Sequence, residues 1–185
     1  MRKVNVFNNV SLDGFFTDAK GDMSWAHKQD EEWNAFASAN ASGNGELLFG
    51  RVTYDLMAAF WPTLQAAKML PKVAAGMNAM RKTVFSRTLD TVSWQNTVLM
   101  KGDLVTEVMR MKRQPGPDIV ILGSGSIVSQ LTQARLIDGY QLVLNPIVVG
   151  RGRSLFETVV DTFNLTLTRT QSFRNGNVVL WYEMA

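Results

Sequence analysis

The chain has 185 residues, of which 46% are hydrophobic and 19% are charged, and its formal net charge is +3. These values are typical of one globular domain with a sizeable core, and they exclude an intrinsically disordered chain. Cysteine is absent and His27 is the single histidine. This composition excludes disulfides, thiolate zinc sites and a cysteine nucleophile, and we expect no bound metal.

The first half of the sequence alternates predicted strands and helices. A strand over residues 3–8 is followed by a polar, glycine-containing loop over 11–25. A helix is predicted over 30–41, with acidic residues in its first turn and with Trp33 and Phe36 on one face. The following predicted elements are a strand over 46–49, helices over 51–60 and 71–80, and strands over 83–85 and 97–100.

The second half continues the alternation and ends in a hairpin. Predicted elements are a helix from Leu104 that ends before Pro115, a buried strand over 118–122, a helix marked by Ile127, Val128 and Leu131, a strand over 140–144, and two β-rich runs within 164–183. Asn175-Gly176 joins these runs, and Asn-Gly is a strong hairpin signal. The pattern predicts one α/β domain over 1–185 with three layers, α-β-α, around a mixed, mostly parallel sheet with a C-terminal antiparallel hairpin.

Neither a signal peptide nor a membrane-spanning run of roughly 18 apolar residues is visible. We therefore expect a cytoplasmic protein that does not bind membranes. The basic residues are scattered along the sequence rather than clustered with aromatic residues. This distribution gives little support to nucleic-acid binding. Salt-sensitive retention of oligonucleotides in a filter-binding assay would support it.

A glycine-rich turn after the buried strand is the best local signal for a ligand. Gly123-Ser-Gly-Ser126 lies between a strand and a helix. The free amides and the dipole at a helix start suit a phosphate, and small residues allow its close approach. The full G-x-G-x-x-G pattern is missing, so a plain strand-to-helix turn with serine caps is an equal alternative.

Two further segments place cations after strands. Arg51 follows Gly50 in the first turn of a predicted helix, where the dipole disfavours a cation unless an anion is bound. Ser86 and Arg87 follow the strand over 83–85, at the sheet edge where ligands of α/β proteins collect. For each arginine, the alternative is a solvated surface side chain.

The order of these segments resembles the dihydrofolate-reductase-like superfamily over nearly the whole chain. The resemblance is greatest to stand-alone relatives of the reductase domain of bifunctional riboflavin-biosynthesis proteins, the RibD C-terminal domain. It is carried by Val10-Ser-Leu-Asp-Gly14, Phe49-Gly-Arg-Val-Thr-Tyr54, Val84-Phe-Ser-Arg87, Ile121-Leu-Gly-Ser-Gly125, Leu136-Ile-Asp138 and Asn145-Pro-Ile-Val-Val-Gly-Arg-Gly-Arg-Ser-Leu-Phe156.

The resemblance implies an NADPH site. The residues that match its cofactor positions are Asn9 and Gly14 near the nicotinamide, Gly50, Arg51 and Thr53 at the phosphates, Ser86 and Arg87 near the adenosine ribose, and Gly123, Ser124, Gly125, Ser126 and Ile127 in the pyrophosphate turn. Arg51 and Arg87 are the candidates for the 2′-phosphate. Met23-Ser-Trp25 resembles a mobile lid, which would exclude water from hydride transfer.

The substrate side is less defined. Asp30 resembles the carboxylate that binds the pterin in dihydrofolate reductase, but it also suits the first turn of a helix. Asp13 is a second catalytic candidate that also suits a structural turn, and His27 is expected in the lid or on the surface. Four tryptophans could stack on a heterocycle or belong to the core: Trp25, Trp33, Trp61 and Trp94.

The expected function is NADPH-dependent reduction of a small pyrimidine- or pterin-like substrate, of the 5-amino-6-(5-phosphoribosylamino)uracil reductase type or diverged from it. The deaminase half of the bifunctional proteins needs cysteine ligands for zinc, so only a reductase-like unit is present. The alternative is a non-catalytic NADP(H)-binding protein on the same fold. The resemblance also implies a homodimer, with residues 143–156 and the terminal hairpin as contact regions.

Overall fold

The computed structural model describes residues 1–26, 30–41 and 44–185. The strands are β1 (Val4–Ser11), β2 (Phe15–Asp18), β3 (Glu46–Gly50), β4 (Lys82–Phe85), β5 (Thr97–Met100), β6 (Ile119–Leu122), β7 (Gly139–Asn145), β8 (Gly152–Ser154), β9 (Leu165–Ser172) and β10 (Val178–Met184). The helices are α1 (Glu31–Ala41), α2 (Arg51–Phe60), α3 (Leu64–Met69), α4 (Pro71–Ala79), α5 (Leu104–Arg113) and α6 (Gly125–Gln133), with a short 3-10 helix at Ser24–Ala26.

Eight strands form one mixed sheet in the order β5-β4-β3-β6-β1-β7-β10-β9. The pairs from β5 to β7 are parallel, while β10 is antiparallel to both β7 and β9. Because parallel strands end at the same edge, the carboxyl ends of β1, β3, β4 and β6 meet there. The topology confirms the predicted three-layer α/β fold with a mostly parallel sheet and a C-terminal antiparallel hairpin.

The two faces of the sheet bury separate apolar clusters. On one face, α5 and α6 cover alternate residues of β1 and β6, including Val6 and Ile121. On the other face, α2 and α4 cover Leu47 and Phe49 of β3. Alternation along each strand sends successive side chains to opposite faces, so both layers of helices are needed to cover these strands.

The first helix is anchored by aromatic contacts to the terminal hairpin. Trp33 and Phe36 share one face of α1, as predicted, and both rings lie about 5 Å from the ring of Phe173 (5.1 and 5.0 Å). Phe36 also makes an edge contact with Trp181 at 6.1 Å. These contacts fix α1 above the sheet face formed by β1, β7 and β10.

Three short elements differ from the sequence predictions. Residues 11–25 are not a continuous loop, because β2 pairs with β8, which was also not predicted. This pairing joins segments that are distant in sequence, so local propensity does not reveal it. The third element is α3, which is capped by Thr63, whose hydroxyl accepts a hydrogen bond from the amide of Ala66 at 3.2 Å.

Among the described helices, none is both long and apolar enough to span a lipid bilayer.

Candidate active site

A cleft of about 1180 Å³ opens at the carboxyl edge of the sheet and extends beneath α1. Eleven of the twelve predicted cofactor residues line it: Asn9, Gly50, Arg51, Thr53, Ser86, Arg87, Gly123, Ser124, Gly125, Ser126 and Ile127. The starts of α2 and α6 therefore face one shared cleft. Convergence at this edge follows from the position of β6 between β3 and β1 in the sheet.

The turn between β6 and α6 has an unusual backbone. Gly123 and Ser124 both adopt left-handed conformations, with φ of 56° and 57°. A Cβ at Gly123 would lie 3.0 Å from Thr53 Oγ1, so position 123 requires glycine for both conformation and space. For Ser124 the left-handed conformation costs about 1–2 kcal/mol, which its hydrogen bonds offset.

Ser124 connects the two helix starts through hydrogen bonds. Its Oγ accepts a hydrogen bond from the Gly50 amide at 2.7 Å and donates one to Thr53 Oγ1 at 2.9 Å. Its own amide also donates to Thr53 Oγ1, at 3.0 Å. Because Thr53 Oγ1 accepts two hydrogen bonds, its own proton is left for a partner in the cleft.

The amides at the start of α6 add further donors. Within the described residues, the N–H groups of Gly125 and Ser126 have no hydrogen-bond acceptor. Packing also favours glycine at position 125, since a Cβ there would lie 2.5 Å from the ring of Phe16. The small residue admits this ring, and the ring in turn forms part of the cleft wall.

The predicted cations lie at the outer part of the cleft. Arg51 is half exposed and forms an ion pair with Asp55 at 3.1 Å, so its charge is partly balanced on its own helix. Arg87 is exposed beside Ser86, whose Oγ accepts hydrogen bonds from the amides of Thr88 and Leu89 at 3.2 and 3.0 Å. The serine therefore shapes the turn that carries the second arginine.

A third helix start, not predicted as part of the site, borders the same cleft. Gly102, Asp103 and Leu104 line it, and Asp103 caps α5 by accepting from the amide and hydroxyl of Thr106 at 2.9 and 2.8 Å. These hydrogen bonds, with the charge of Arg87, lower the pKa of the Asp103 carboxyl. The Asp-x-x-Thr spacing was the available signal, because it is typical of a helix N-cap.

The inner part of the cleft is apolar with amide side chains. Its lining includes Phe7, Trp33, Met57, Trp61, Leu122 and Trp181, together with Asn5, Asn9, Asn34 and Gln141. Such a surface suits a flat ring with a few hydrogen-bonding groups. Of the four candidate tryptophans, Trp33 and Trp61 lie here, whereas Trp94 is buried against Phe49 and donates to Asn78 Oδ1 at 2.7 Å. Trp25 does not line the cleft, although Met23 of the predicted lid does.

Two of the predicted site residues, Gly14 and Asp13, lie after β1 and outside the cleft lining. Gly14, predicted to bind the cofactor, lies in an exposed turn and does not line the cleft. Asp13, predicted to be catalytic, is also outside the lining, and its carboxylate accepts hydrogen bonds from the amides of Val149 and Gly150 at 3.1 and 2.7 Å. Hydrogen bonds from Ser11 and from these amides lower the pKa of Asp13 to about 2. This residue anchors a turn, which was the structural alternative.

Asp30 lies immediately before α1. Its Oδ1 accepts a hydrogen bond from the Trp33 amide at 2.7 Å, which is a helix cap. Its Oδ2 is buried without a partner among residues 1–26, 30–41 and 44–185, and the carboxylate is not part of the cleft lining. His27 falls outside the described residues.

The donors at this edge have the chemistry of a phosphoryl-binding site. A hydroxyl proton, two helix-start amides and two guanidinium groups are available around one elongated cleft, and all of these groups favour anionic oxygens. The neighbouring apolar part suits an uncharged ring. The residues present therefore fit a phosphorylated ligand with a flat ring system.

Comparison with known proteins finds relatives that match this chain over most of its length. The chain is similar to the YyaP and YwjB proteins of Bacillus subtilis, with 28% identity over 94% of this chain and 90% of YyaP, and 23% identity over 93% of this chain and 92% of YwjB. Both matches extend over nearly the full length of each protein.

Solved structures show the same fold. A protein of Shewanella sp. PV-4, by its name a riboflavin biosynthesis protein, has a TM-score of 0.74 at 20% identity, covering 99% of each chain. A pyrimidine reductase-like protein of Corynebacterium diphtheriae has a TM-score of 0.66 at 13% identity, covering 100% of this chain and 92% of the other. The diaminohydroxyphosphoribosylaminopyrimidine deaminase/5-amino-6-(5-phosphoribosylamino)uracil reductase of Thermotoga maritima has a TM-score of 0.69 at 11% identity, covering all of this chain and 57% of the other.

The family model of the RibD C-terminal domain matches residues 2–179. This match includes strands β1 to β9, the start of β10 and the turns that carry the proposed phosphate-binding residues. The predicted resemblance is thereby confirmed, and the chain belongs to the RibD C-terminal domain family.

Proposed function

We propose that this protein is an NADPH-dependent reductase that transfers a hydride to a small pyrimidine- or pterin-like substrate, of the 5-amino-6-(5-phosphoribosylamino)uracil reductase type or diverged from it. The observation that carries the proposal is the convergence of the starts of α2 and α6 on one cleft through Gly50, Thr53 and Ser124. Membership in a family of reductases supports the class of reaction.

Each wall of the cleft has a distinct part in this proposal. The amides of Gly125 and Ser126 and the hydroxyl of Thr53 would bind the diphosphate. Arg51 and Arg87 would bind the 2′-phosphate that distinguishes NADPH from NADH. A bound nicotinamide supplies the hydride.

The apolar inner part would hold the heterocycle and exclude water. Trp33 and Trp61 provide flat surfaces, and amide groups such as Asn9 and Gln141 can orient ring carbonyls and ring nitrogens. Excluding water and aligning the two rings is the main contribution a protein makes to hydride transfer. For the substrate side we propose Asp30, since its second carboxylate oxygen has no partner in the described part of the chain.

Titration of the protein with NADPH and with NADH, followed by fluorescence, tests the cofactor site. Failure to bind either one up to about 1 mM, where the binding free energy is only about 4 kcal/mol, would overturn the proposal. Turnover is then measured as oxidation of NADPH in the presence of aminouracil and dihydropterin substrates.

One observation favours the non-catalytic alternative on the same fold. Among the described residues, the carboxylates that line the cleft are Asp103, which caps α5, and Glu183, on β10. The other weak acids of this lining are the phenols of Tyr140 and Tyr182, and burial raises the pKa of Tyr140. Tight NADPH binding without oxidation of the cofactor by any substrate would support a binding protein, whereas steady oxidation would exclude it.

We also propose that the protein forms a cytoplasmic homodimer. Exposed apolar side chains lie on the predicted contact regions, with Val148 at 67% and Leu167 at 49% exposure. Burial of such side chains favours association. The molar mass in solution, measured by light scattering, distinguishes a dimer from a monomer of 20.6 kDa.

A further inference from the structure

Arg153 is a cation of the cleft that the proposed function leaves without a role. It lies on β8, lines the same cleft as the turn Gly123–Ser126, and has a side chain that is 53% exposed. Its ion pair with Glu157 spans 3.4 Å between two half-exposed side chains. Exposed pairs of this kind contribute little, so the guanidinium is free to bind another anion.

The small sheet of β2 and β8 holds Arg153 near the start of α6. Phe16 of β2 packs on Gly125, where a Cβ would lie 2.5 Å from its ring. The Arg153 guanidinium carbon lies 5.8 Å from the centroid of the same ring. Gly125 thus contacts Phe16 of β2, while Gly123 and Ser124 contact Thr53 of α2.

Thr17 provides a second, independent indication of a ligand. It pairs directly with Arg153 across the two strands, and it also lines the cleft. The residue is only 8% exposed, and its Oγ1 has no hydrogen-bond partner in the described parts of the chain. A buried hydroxyl without a partner is costly, and a ligand oxygen at this position would satisfy it.

We propose that Arg153 and Thr17, with the amides of Gly125 and Ser126, form a phosphoryl-binding position at the start of α6. The ligand is a phosphoryl group, either in the diphosphate of a dinucleotide or on a phosphorylated substrate. The inference rests on the proposed function for the assignment of that group to the cofactor. The Arg153 guanidinium and the Thr17 hydroxyl would each donate a hydrogen bond to a phosphoryl oxygen.

Calorimetric titration with ADP-ribose and with inorganic pyrophosphate tests this position, because neither probe carries a nicotinamide. If the phosphoryl group belongs to the dinucleotide, Arg153→Gln should weaken ADP-ribose binding about tenfold, since a charge-assisted hydrogen bond is lost. Thr17→Val, which keeps the shape of the side chain, should weaken it by about threefold to tenfold. Arg151→Gln is the matched control, because Arg151 is an exposed arginine two residues away that does not line the cleft, and it should change affinity less than about twofold.

The two sources of the phosphoryl group give different results. For the dinucleotide, Arg153→Gln weakens ADP-ribose, NADPH and NADH by the same factor. For a phosphorylated substrate, ADP-ribose affinity is unchanged and the KM of the aminouracil ribose phosphate rises instead. Equal behaviour of Arg153→Gln and Arg151→Gln in all of these measurements would overturn the proposal.

Failure of the proposed function is distinguishable from failure of this inference. If the wild-type protein binds pyrophosphate but neither NADPH nor NADH, the reductase proposal fails. The role of Arg153 is then still tested, by comparing the pyrophosphate affinities of Arg153→Gln and the wild-type protein. Absence of pyrophosphate and ADP-ribose binding by the wild-type protein contradicts the inference directly. Circular dichroism of each variant verifies that the fold is retained.

Discussion

The amide of Gly50 donates a hydrogen bond to Ser124 Oγ over 2.7 Å, which joins the start of α2 to the turn before α6. The two turns are therefore one structural unit and not two independent phosphate sites. The arrangement also means that the Gly50 amide is already used, whereas the Thr53 hydroxyl and the amides of α6 can donate to a ligand.

Thr53→Val should destabilise the protein and weaken cofactor binding. The substitution removes the acceptor of both the amide and the hydroxyl of Ser124, leaving partly buried donors without a partner. We expect a loss of about 1–3 kcal/mol in the free energy of unfolding, measured by urea denaturation. Thr91→Val, on an exposed residue, is the control and should stay within about 0.5 kcal/mol of wild type. Equal stability of the two variants would contradict the role assigned to Thr53.

Gly123→Ala and Gly50→Ala should differ in stability. Alanine at 123 must adopt φ of 56° with its Cβ 3.0 Å from Thr53 Oγ1, so it should cost at least about 1–2 kcal/mol. Gly50 has φ of −85°, which any residue can adopt. A Cβ added there would lie no closer than 3.5 Å to its nearest neighbour, Ser124 Oγ, so position 50 tolerates alanine. Thermal unfolding measures the difference. Because Gly50 lines the cleft, its variant should instead show weaker NADPH binding.

Local sequence predicts the large elements of this fold better than the small ones. The β6–α6 unit was predictable, because an unbroken apolar strand, two glycines and an apolar helix face are all local features. In contrast, β2 consists of Phe15–Asp18 within a glycine-rich stretch, and its partner β8 is far away in sequence. Such a strand exists only because the folded chain supplies the partner.

The site shows the same division. The resemblance predicts Thr53 and Ser124 as cofactor residues, but it does not reveal the hydrogen bond between them or the left-handed backbone of Ser124. Asp13 carried two interpretations, and the hydrogen bonds from the Val149 and Gly150 amides support the structural one. Which alternative holds is set by tertiary contacts that one sequence does not display.

Arg51→Gln and Arg87→Gln should reduce the preference for NADPH over NADH. If these guanidinium groups bind the 2′-phosphate, the dissociation constant of NADPH should rise about tenfold, which corresponds to about 1.4 kcal/mol, while that of NADH stays unchanged. Fluorescence titration with both cofactors gives the two constants. Arg113→Gln, at the exposed end of α5, is the charge-matched control. An equal loss for both cofactors in either variant would assign that arginine to another part of the nucleotide.

Asp30→Asn separates the capping role of this residue from a role in catalysis. Asparagine caps helices about as well as aspartate, so the bond to the Trp33 amide survives and stability should change by less than about 0.5 kcal/mol. Asp30→Ala removes the cap and should cost about 1 kcal/mol. If the carboxylate acts on the substrate, kcat/KM falls in both variants while the NADPH dissociation constant stays constant. Full activity of Asp30→Asn would show that Asp30 caps the helix and takes no part in catalysis.

Asp13→Asn should change the response of the protein to acid. The pKa of Asp13 is lowered to about 2 in the folded protein, chiefly by its hydrogen bond with Ser11 and then by the amides of Val149 and Gly150, against an ordinary value of 3.8. The unfolded chain therefore binds the proton more readily than the folded chain between these values. The stability that Asp13 contributes is complete above about pH 4 and is lost as the pH falls toward 2. Asp13→Asn should be less stable than wild type at pH 7, and the gap between the two should narrow between pH 4 and 2. Urea denaturation at several pH values measures this gap, and a gap that stays constant with pH would show that the carboxylate charge does not hold the turn.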